Sequence, residues 1–261
     1  MSPPNLRETF VETNWGRIRL LVRDGDREAP AAFLVHGSGG EADVWRPVMA
    51  EMTGITAIAI DMPGHGGSTA APLASVVEAS RFLEALRSAL GYRRVIVVGQ
   101  SLGGGMAQQY GFDQPQACAG IVVANSAPDF DIVPERLRAI AESWGPTALG
   151  YAVGQVSKRA SPALKEAARQ MIFRRRPDVF IADLVLCNGF DSRPWAGKIA
   201  VPVLIVAGYD DTLTVPARSY ALLELIGHAE MVVYSPCGHC AMLEQPRRFA
   251  AEIEAFAARC R

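Results

Sequence analysis

An α/β fold with a mostly parallel central sheet is predicted by three observations. Apolar, β-branched runs alternate with helical patterns along the chain, the rhythm that lays helices on the faces of a parallel sheet. Several runs, such as Val95-Ile96-Val97-Val98, carry no polar interruption, as strands buried on both faces should. Chemically reactive residues follow the ends of three runs, and in an open parallel sheet the loops beyond the carboxyl ends of neighbouring strands converge on one crevice.

The elements follow in order. Residues 8–14 and 17–23, joined at Trp15-Gly16, read as an opening antiparallel hairpin. Residues 31–36 and 55–60 read as buried strands separated by a helix near 45–52. Within 75–90, Val76, Val77, Ala79, Phe82, Leu83, Leu86 and Leu90 share one helical face, and Gly91 ends it. Strand 95–98 leads into a helix over 102–110, and 120–125 is the next strand. From Ser126 to about Trp195 the strand rhythm lapses over a span too long for a bare connection. Short helices are predicted there at 134–144, 147–158, 162–175 and 177–187, several opened by proline at an early helical position. The chain is therefore read as a core of residues 1–125 and 196–261 with a small helical cap of 126–195. Strands at 203–207 and 231–234 and a helix over 247–258 complete it.

A length of 261 residues suits one catalytic domain with a large buried core. With 26 Lys+Arg against 27 Asp+Glu the chain is nearly neutral, so no strong field argues for nucleic acid or an anionic membrane as partner. The start, Met1-Ser2-Pro3-Pro4-Asn5-Leu6-Arg7-Glu8, lacks the apolar core of a signal peptide, and no apolar run reaches transmembrane length. Five scattered cysteines fit a reduced, cytoplasmic setting.

The most informative segment is Val98-Gly99-Gln100-Ser101-Leu102-Gly103-Gly104, a serine between glycines where a strand gives way to a helix. A residue held in such a turn is strained and pushed into the cleft, so its neighbours need to lack bulk, which Gly99 and Gly103 supply. The Leu102 amide, at the helix start, then points at the reacting centre. A nucleophilic serine also needs a base for its proton and an anion to hold that base in its working tautomer. Both candidates lie beyond later strands, in Gly208-Tyr209-Asp210-Asp211 and in Ser235-Pro236-Cys237-Gly238-His239.

The order Ser, Asp, His resembles that of the α/β-hydrolase superfamily. Further segments extend the likeness: Val35-His36-Gly37-Ser38-Gly39-Gly40 is similar to the family's oxyanion-hole loop. Asp61-Met62-Pro63-Gly64-His65-Gly66-Gly67-Ser68 is similar to the D-x-P-G-H-G-x-S segment of its esterase, enol-lactonase and haloperoxidase-like branch. Gly238-His239 with Met242-Leu243-Glu244-Gln245-Pro246 and Phe249 resembles that branch's closing motif. The resemblance implies an α/β-hydrolase fold and cleavage of a carboxylic ester or related acyl bond of a small-molecule substrate, without cofactor or metal. It implies Ser101 as nucleophile, His239 as base, Asp211 as orienting acid, and the Ser38 and Leu102 amides as oxyanion donors. Family spacing from Gly208 selects Asp211 over its rival Asp210, with Asp129 a remoter candidate. A lactonase is the runner-up, and thioesterase, carbon-carbon hydrolase and perhydrolase chemistry stay open.

Around this centre, Gly37, Gly39, Trp45, Trp144 and Leu213 are the expected substrate contacts, and apolar cap residues such as Tyr151, Phe180 and Leu184 are candidates. His36, Asp61 and His65 read as braces for glycine-rich turns, and His228 as a surface residue. Arg174-Arg175-Arg176 reads as a solvated cap surface in preference to a contact for an anionic substrate tail. Cys237-Gly238-His239-Cys240 matches a thioredoxin-type tetrapeptide, but its late position and overlap with His239 argue against redox or zinc chemistry. Regulatory pairing of the two thiols is a further expectation to weigh. A non-catalytic receptor on the same fold is the rival from another class.

Overall fold

Uninterrupted apolar runs become the strands of a single sheet in the structure, a computed structural model describing residues 6–132 and 134–260. The polar start Met1 to Asn5 lies outside the described residues. Eight strands, β1 (Leu6–Thr13), β2 (Gly16–Arg23), β3 (Ala31–Val35), β4 (Ala57–Ile60), β5 (Val95–Gln100), β6 (Cys118–Ala124), β7 (Val203–Gly208) and β8 (Glu230–Tyr234), stand in the order β1-β2-β4-β3-β5-β6-β7-β8. The hairpin β1–β2 is antiparallel and joins β4 antiparallel, and every pairing from β4 to β8 is parallel. The expected mostly parallel sheet is present.

Strand order reverses between β3 and β5. From β3 the chain first adds β4 on one side, then returns to place β5 on the other. The crevice outside the carboxyl ends at such a reversal is where α/β sheets bind ligands. The loops that leave it here are Gly37-Ser38 after β3 and Ser101 after β5, which explains why glycines crowd those two segments.

Alternation along the strands divides the core into two layers. Phe33, Val35, Val97 and Ile121 face α2 (Val76–Ala89) and α3 (Leu102–Asp113), packing with Phe82, Leu86 and Tyr110. Leu34, Val98, Val122 and Leu204 face the other way, toward α1 (Arg46–Glu51) and the chain's last helix, Pro246–Arg259, with Trp45, Met49, Phe249 and Ile253. Each fully buried side chain of this size contributes roughly 1.5–3 kcal/mol to stability. Helix α2 begins as its sequence suggests: the Ser75 hydroxyl accepts from the Glu78 amide at 3.1 Å, and Gly91, with φ +74°, terminates the segment.

Four helices, α4 (Pro134–Glu142), α5 (Trp144–Gly154), α6 (Pro162–Phe173) and α7 (Pro177–Asn188), connect β6 to β7, near the four expected segments but with displaced ends. Proline opens α6 and α7, and Ser161 caps α6 by accepting from Leu164 N–H at 3.2 Å. After β7 and around β8 come α8 (Pro216–Leu225), α9 (Ala241–Glu244) and α10, the last helix. Helices α8 and α9 were not read from the sequence. In α8 only Ser219 and Leu222 are buried, too thin a stripe for a helical pattern. The expected helix near 45–52 divides into a 3-10 turn, Ala42–Trp45, and α1. Among the described residues no helix is long and apolar enough to cross a membrane.

Candidate active site

Ser101 sits between β5 and α3 with φ +55° and ψ −120°, a left-handed conformation that costs a non-glycine residue roughly 1–3 kcal/mol. The surroundings hold it there. Its N–H donates to Ala124 O at 2.9 Å, and its carbonyl accepts from Gly104 N–H at 2.8 Å and the Ser126 hydroxyl at 2.7 Å. A Cβ on Gly99 would strike the Gly103 carbonyl, and one on Gly103 would strike the Val35 carbonyl. Both obstacles are backbone, so neither glycine has a tolerated replacement. Across the crevice, a Cβ on Gly37 would overlap the Gln100 side chain and approach Ser101 Cβ to 3.0 Å. Ser38 lines the same chamber as Ser101, and Leu102 follows Ser101 at the start of α3; the amide of neither donates to another described residue.

The loop after β8 brings in the imidazole. His239 Nδ1–H donates to Asp211 Oδ2 at 2.8 Å, and both residues are buried. The other Asp211 oxygen, Oδ1, accepts from the N–H groups of Leu213 and Thr214 at 2.8 and 2.9 Å. Asn125, the residue after β6, with φ +48°, donates from Nδ2 to Asp211 Oδ2 at 3.1 Å and to Gly238 O at 2.9 Å. Gln100 Nε2 donates to His239 O at 3.0 Å. The sequence reading missed Asn125 and Gln100, neither of which has the flanking-glycine pattern that marked Ser101, although each is a polar residue closing an unbroken apolar run. Asp210 points elsewhere, accepting from Ser157 Oγ at 2.5 Å and pairing with Arg159 at 3.2 Å. Asp129 pairs with Arg218 at 2.7 Å. Of the three acids, only Asp211 meets His239.

Ser101 and His239 share the lining of a small chamber of about 70 Å³, though no hydrogen bond joins them. Gly37, Ser38, Leu213, Tyr151, Phe180 and Leu184 also line it, as do Arg136, Arg175 and Cys187, which sequence reasoning had not placed there. A larger cavity of about 720 Å³ adjoins it, bordered by Gly39 and the Arg174-Arg175-Arg176 run. Two expected substrate contacts are corrected. Trp45 lines neither space: it is fully buried in the opposite core layer, 6.0 Å from Phe249 between ring centres. The reason is that the 3-10 turn aims the indole at α10. Trp144 stands behind the chamber wall, edge-on to Phe180 at 5.5 Å. Arg175 also departs from the solvated surface expected for its run.

The braces behave as read, with one addition. Asp61 is fully buried and accepts from Ala42 N–H at 2.6 Å, Gly67 N–H at 2.7 Å and Arg19 at 3.0 Å. His36 donates from Nδ1 to Gly37 O and accepts at Nε2 from Met62 N–H. Burial, aided by the neighbouring His65, pushes its pKa down to about 3, so the ring stays neutral. His65 additionally ties the core to α7: its Nε2 lies 3.0 Å from Asp183 Oδ2, which also accepts from Gly39 N–H at 2.7 Å. Burial opposes a charge on His65, but the Asp183 bond and charge outweigh it and raise its pKa. His228 is exposed, as expected.

The thiols of Cys237 and Cys240 are buried and free. Burial raises both pKa values, that of Cys240 to about 12, with the Glu244 carboxylate adding to the effect at Cys237. Glu244 itself clamps the loop, accepting from Gly238 N–H at 2.6 Å and Ser157 N–H at 2.9 Å. Thiolates are the reactive species in disulfide exchange, so a disulfide reagent at pH 7.5 is expected to titrate less than about one fast thiol in the native protein. All five cysteines should react once it is denatured. Fast, stoichiometric labelling of Cys237 or Cys240 in the native state would revive the redox reading.

Comparison with known proteins agrees with this architecture. Over 251 residues the chain is 24% identical to the 2-succinyl-6-hydroxy-2,4-cyclohexadiene-1-carboxylate synthase of Serratia proteamaculans (strain 568), spanning 90% of this chain and 96% of that protein. A solved thermophilic esterase is 28% identical and superposes with a TM-score of 0.85 over 98% of both chains. The enol-lactonase from Burkholderia xenovorans LB400, 19% identical, shares the fold at a TM-score of 0.86 over 96% of this chain and all of its own. Residues 32–252 match the alpha/beta hydrolase family, and the chain belongs to that family.

Proposed function

We propose that the protein is a serine hydrolase cleaving a carboxylic ester or lactone through an acyl-enzyme. His239 Nε2 takes the Ser101 proton as Oγ attacks the carbonyl carbon, and Asp211 holds the ring in the Nδ1–H tautomer while stabilising the imidazolium. The Leu102 and Ser38 amides receive the oxyanion, fixed before charge develops and therefore cheap in reorganisation. Collapse expels the alcohol, which takes the proton from His239. Water activated by the same ring then releases the acid. In a lactone the alcohol stays tethered and the product is a hydroxy acid. The helical insertion of 126–195 serves as the cap, lending Tyr151, Phe180 and Leu184 to the acyl and leaving-group pockets.

What supports the reading most is one convergence: a serine in a left-handed turn shares a small chamber with an imidazole whose far nitrogen is bonded to a buried carboxylate. Esterase and enol-lactonase are the named activities of structural neighbours, whereas the Serratia relative carries the name of a different reaction. A fluorophosphonate should form one covalent adduct, mapped by peptide mass to Ser101, and a panel of esters, lactones and thioesters should be hydrolysed at rates it blocks. An adduct on another serine, or none, would refute the mechanism. Faster turnover of thioesters than of esters would reassign the bond.

A further inference from the structure

Three residues border both the small chamber and the larger cavity: Gly37, Gln100 and Arg175. Only Arg175 carries a charge, and it lies at the neck between the two spaces. Its side chain crosses Gly39, where its Cδ would sit 3.2 Å from an added Cβ, and its guanidinium lies 5.4 Å from the Phe180 ring centre. The Nε atom is out of solvent without a hydrogen-bond partner. Its neighbours differ. Arg176 pairs with Asp178 at 2.6 Å and Arg174 Nε donates to Gln170 O at 3.2 Å.

Arg175 is half-buried, and a partly desolvated guanidinium without an anion is costly, since such groups are ordinarily paired. Two carboxylates reach Arg175 by charge: Asp183 already receives His65 and the Gly39 amide, and Glu41, on the larger cavity, forms no ion pair with it among the described residues. Arg136, an exposed residue of α4 that also lines the chamber, has no carboxylate partner among the described residues and rests 5.8 Å from the Tyr151 ring centre. No aspartate or glutamate lines the chamber at all. Burial lowers the Arg175 pKa to about 10, which still leaves it protonated at neutral pH. A catalytic chamber with two unpaired arginines and no acid is built to attract an anion.

We propose that Arg175, assisted by Arg136, binds a carboxylate of the substrate, so that the preferred substrates are monoanionic esters or lactones rather than neutral ones. The planar fork of arginine matches a carboxylate with two parallel hydrogen bonds, a geometry that lysine does not reproduce. Charge on the substrate thereby fixes which carbonyl faces Ser101. The substrate class rests on the acyl-transfer reading above, but the anion site does not.

Calorimetric titration of glutarate into Ser101→Ala tests the site without turnover. Binding should weaken at least about tenfold when Arg175→Met is added, with partial recovery in Arg175→Lys. Unchanged binding would overturn the proposal, and equally tight binding of inorganic phosphate would overturn the assignment to a carboxylate. With Ser101 present, the ratio of kcat/KM for monoethyl glutarate to that for neutral ethyl pentanoate should fall by about 10² in Arg175→Met, chiefly through KM. Arg138→Met, which removes an exposed arginine of α4 paired with Glu135, should leave the ratio as in wild type. A ratio indifferent to Arg175 would overturn the proposal. Glutarate binding that depends on Arg175 in a protein unable to hydrolyse any ester would support the site and remove only the acyl-transfer reading.

Discussion

Ser101→Ala is expected to lower kcat by roughly 10⁴ to 10⁶ while the protein stays folded. The effect is large because, under the proposed mechanism, the nucleophilic atom itself is lost, leaving only binding and oxyanion stabilisation to act on water. Folding should be spared, since the Ser101 hydroxyl makes no hydrogen bond among the described residues and its backbone contacts to Ala124, Gly104 and Ser126 do not involve the side chain. Ser101→Gly supplies a second test of the same turn. Glycine adopts φ +55° without strain, so this inactive variant should melt above Ser101→Ala, the order expected where a catalytic position stores backbone strain. The measurements are initial rates on a short p-nitrophenyl ester and thermal melts of all three proteins. Retention of even a tenth of the activity by well-folded Ser101→Ala would eliminate the serine mechanism.

The parts of this molecule legible in its sequence are those governed by local rules. Unbroken β-branched runs announce buried strands, and glycines at 99 and 103 announce a turn in which any Cβ would meet backbone. The capped helix Val76–Ala89 needs only Ser75, its apolar stripe and Gly91. What the sequence concealed depends on distant segments meeting. Trp45 has the composition of a pocket residue, yet its direction is set by docking on α10, some two hundred positions away. Arg175 and Arg176 are indistinguishable as letters, but one borders the chamber and the other pairs with Asp178 in solvent. Asn125 bridges Asp211 and Gly238, a role visible only once β6, β7 and the loop after β8 lie side by side. Family spacing favours Asp211 over Asp210, and the geometry agrees, because the turn after β7, with Asp211 N–H on Gly208 O and Asp210 N–H on Cys237 O, sends the two side chains to different partners.

That adjacency yields the second large effect: Asp211→Asn should reduce kcat by about 10³ to 10⁴, against less than about threefold for Asp210→Asn. Asp211 accepts four hydrogen bonds, two from the Leu213 and Thr214 amides at Oδ1 and two from His239 and Asn125 at Oδ2. An asparagine has a single acceptor oxygen. Turning that oxygen toward His239 would set its NH2 against two backbone N–H donors, whereas turning it toward those amides sets the NH2 against only one donor, Asn125. The second arrangement is the less costly, and it presents a donor to His239 Nδ1. The ring must then carry its proton on Nε2, the nitrogen that accepts from Ser101 in the proposed mechanism, and the proposed base is disabled without being moved. At Asp210 the same change keeps an oxygen for the Ser157 hydroxyl and loses only the charge facing Arg159, an exposed partner whose pairing is worth little. Rates for the two variants, compared at matched stability, decide the matter: an equal or reversed ranking would take the orienting role away from Asp211.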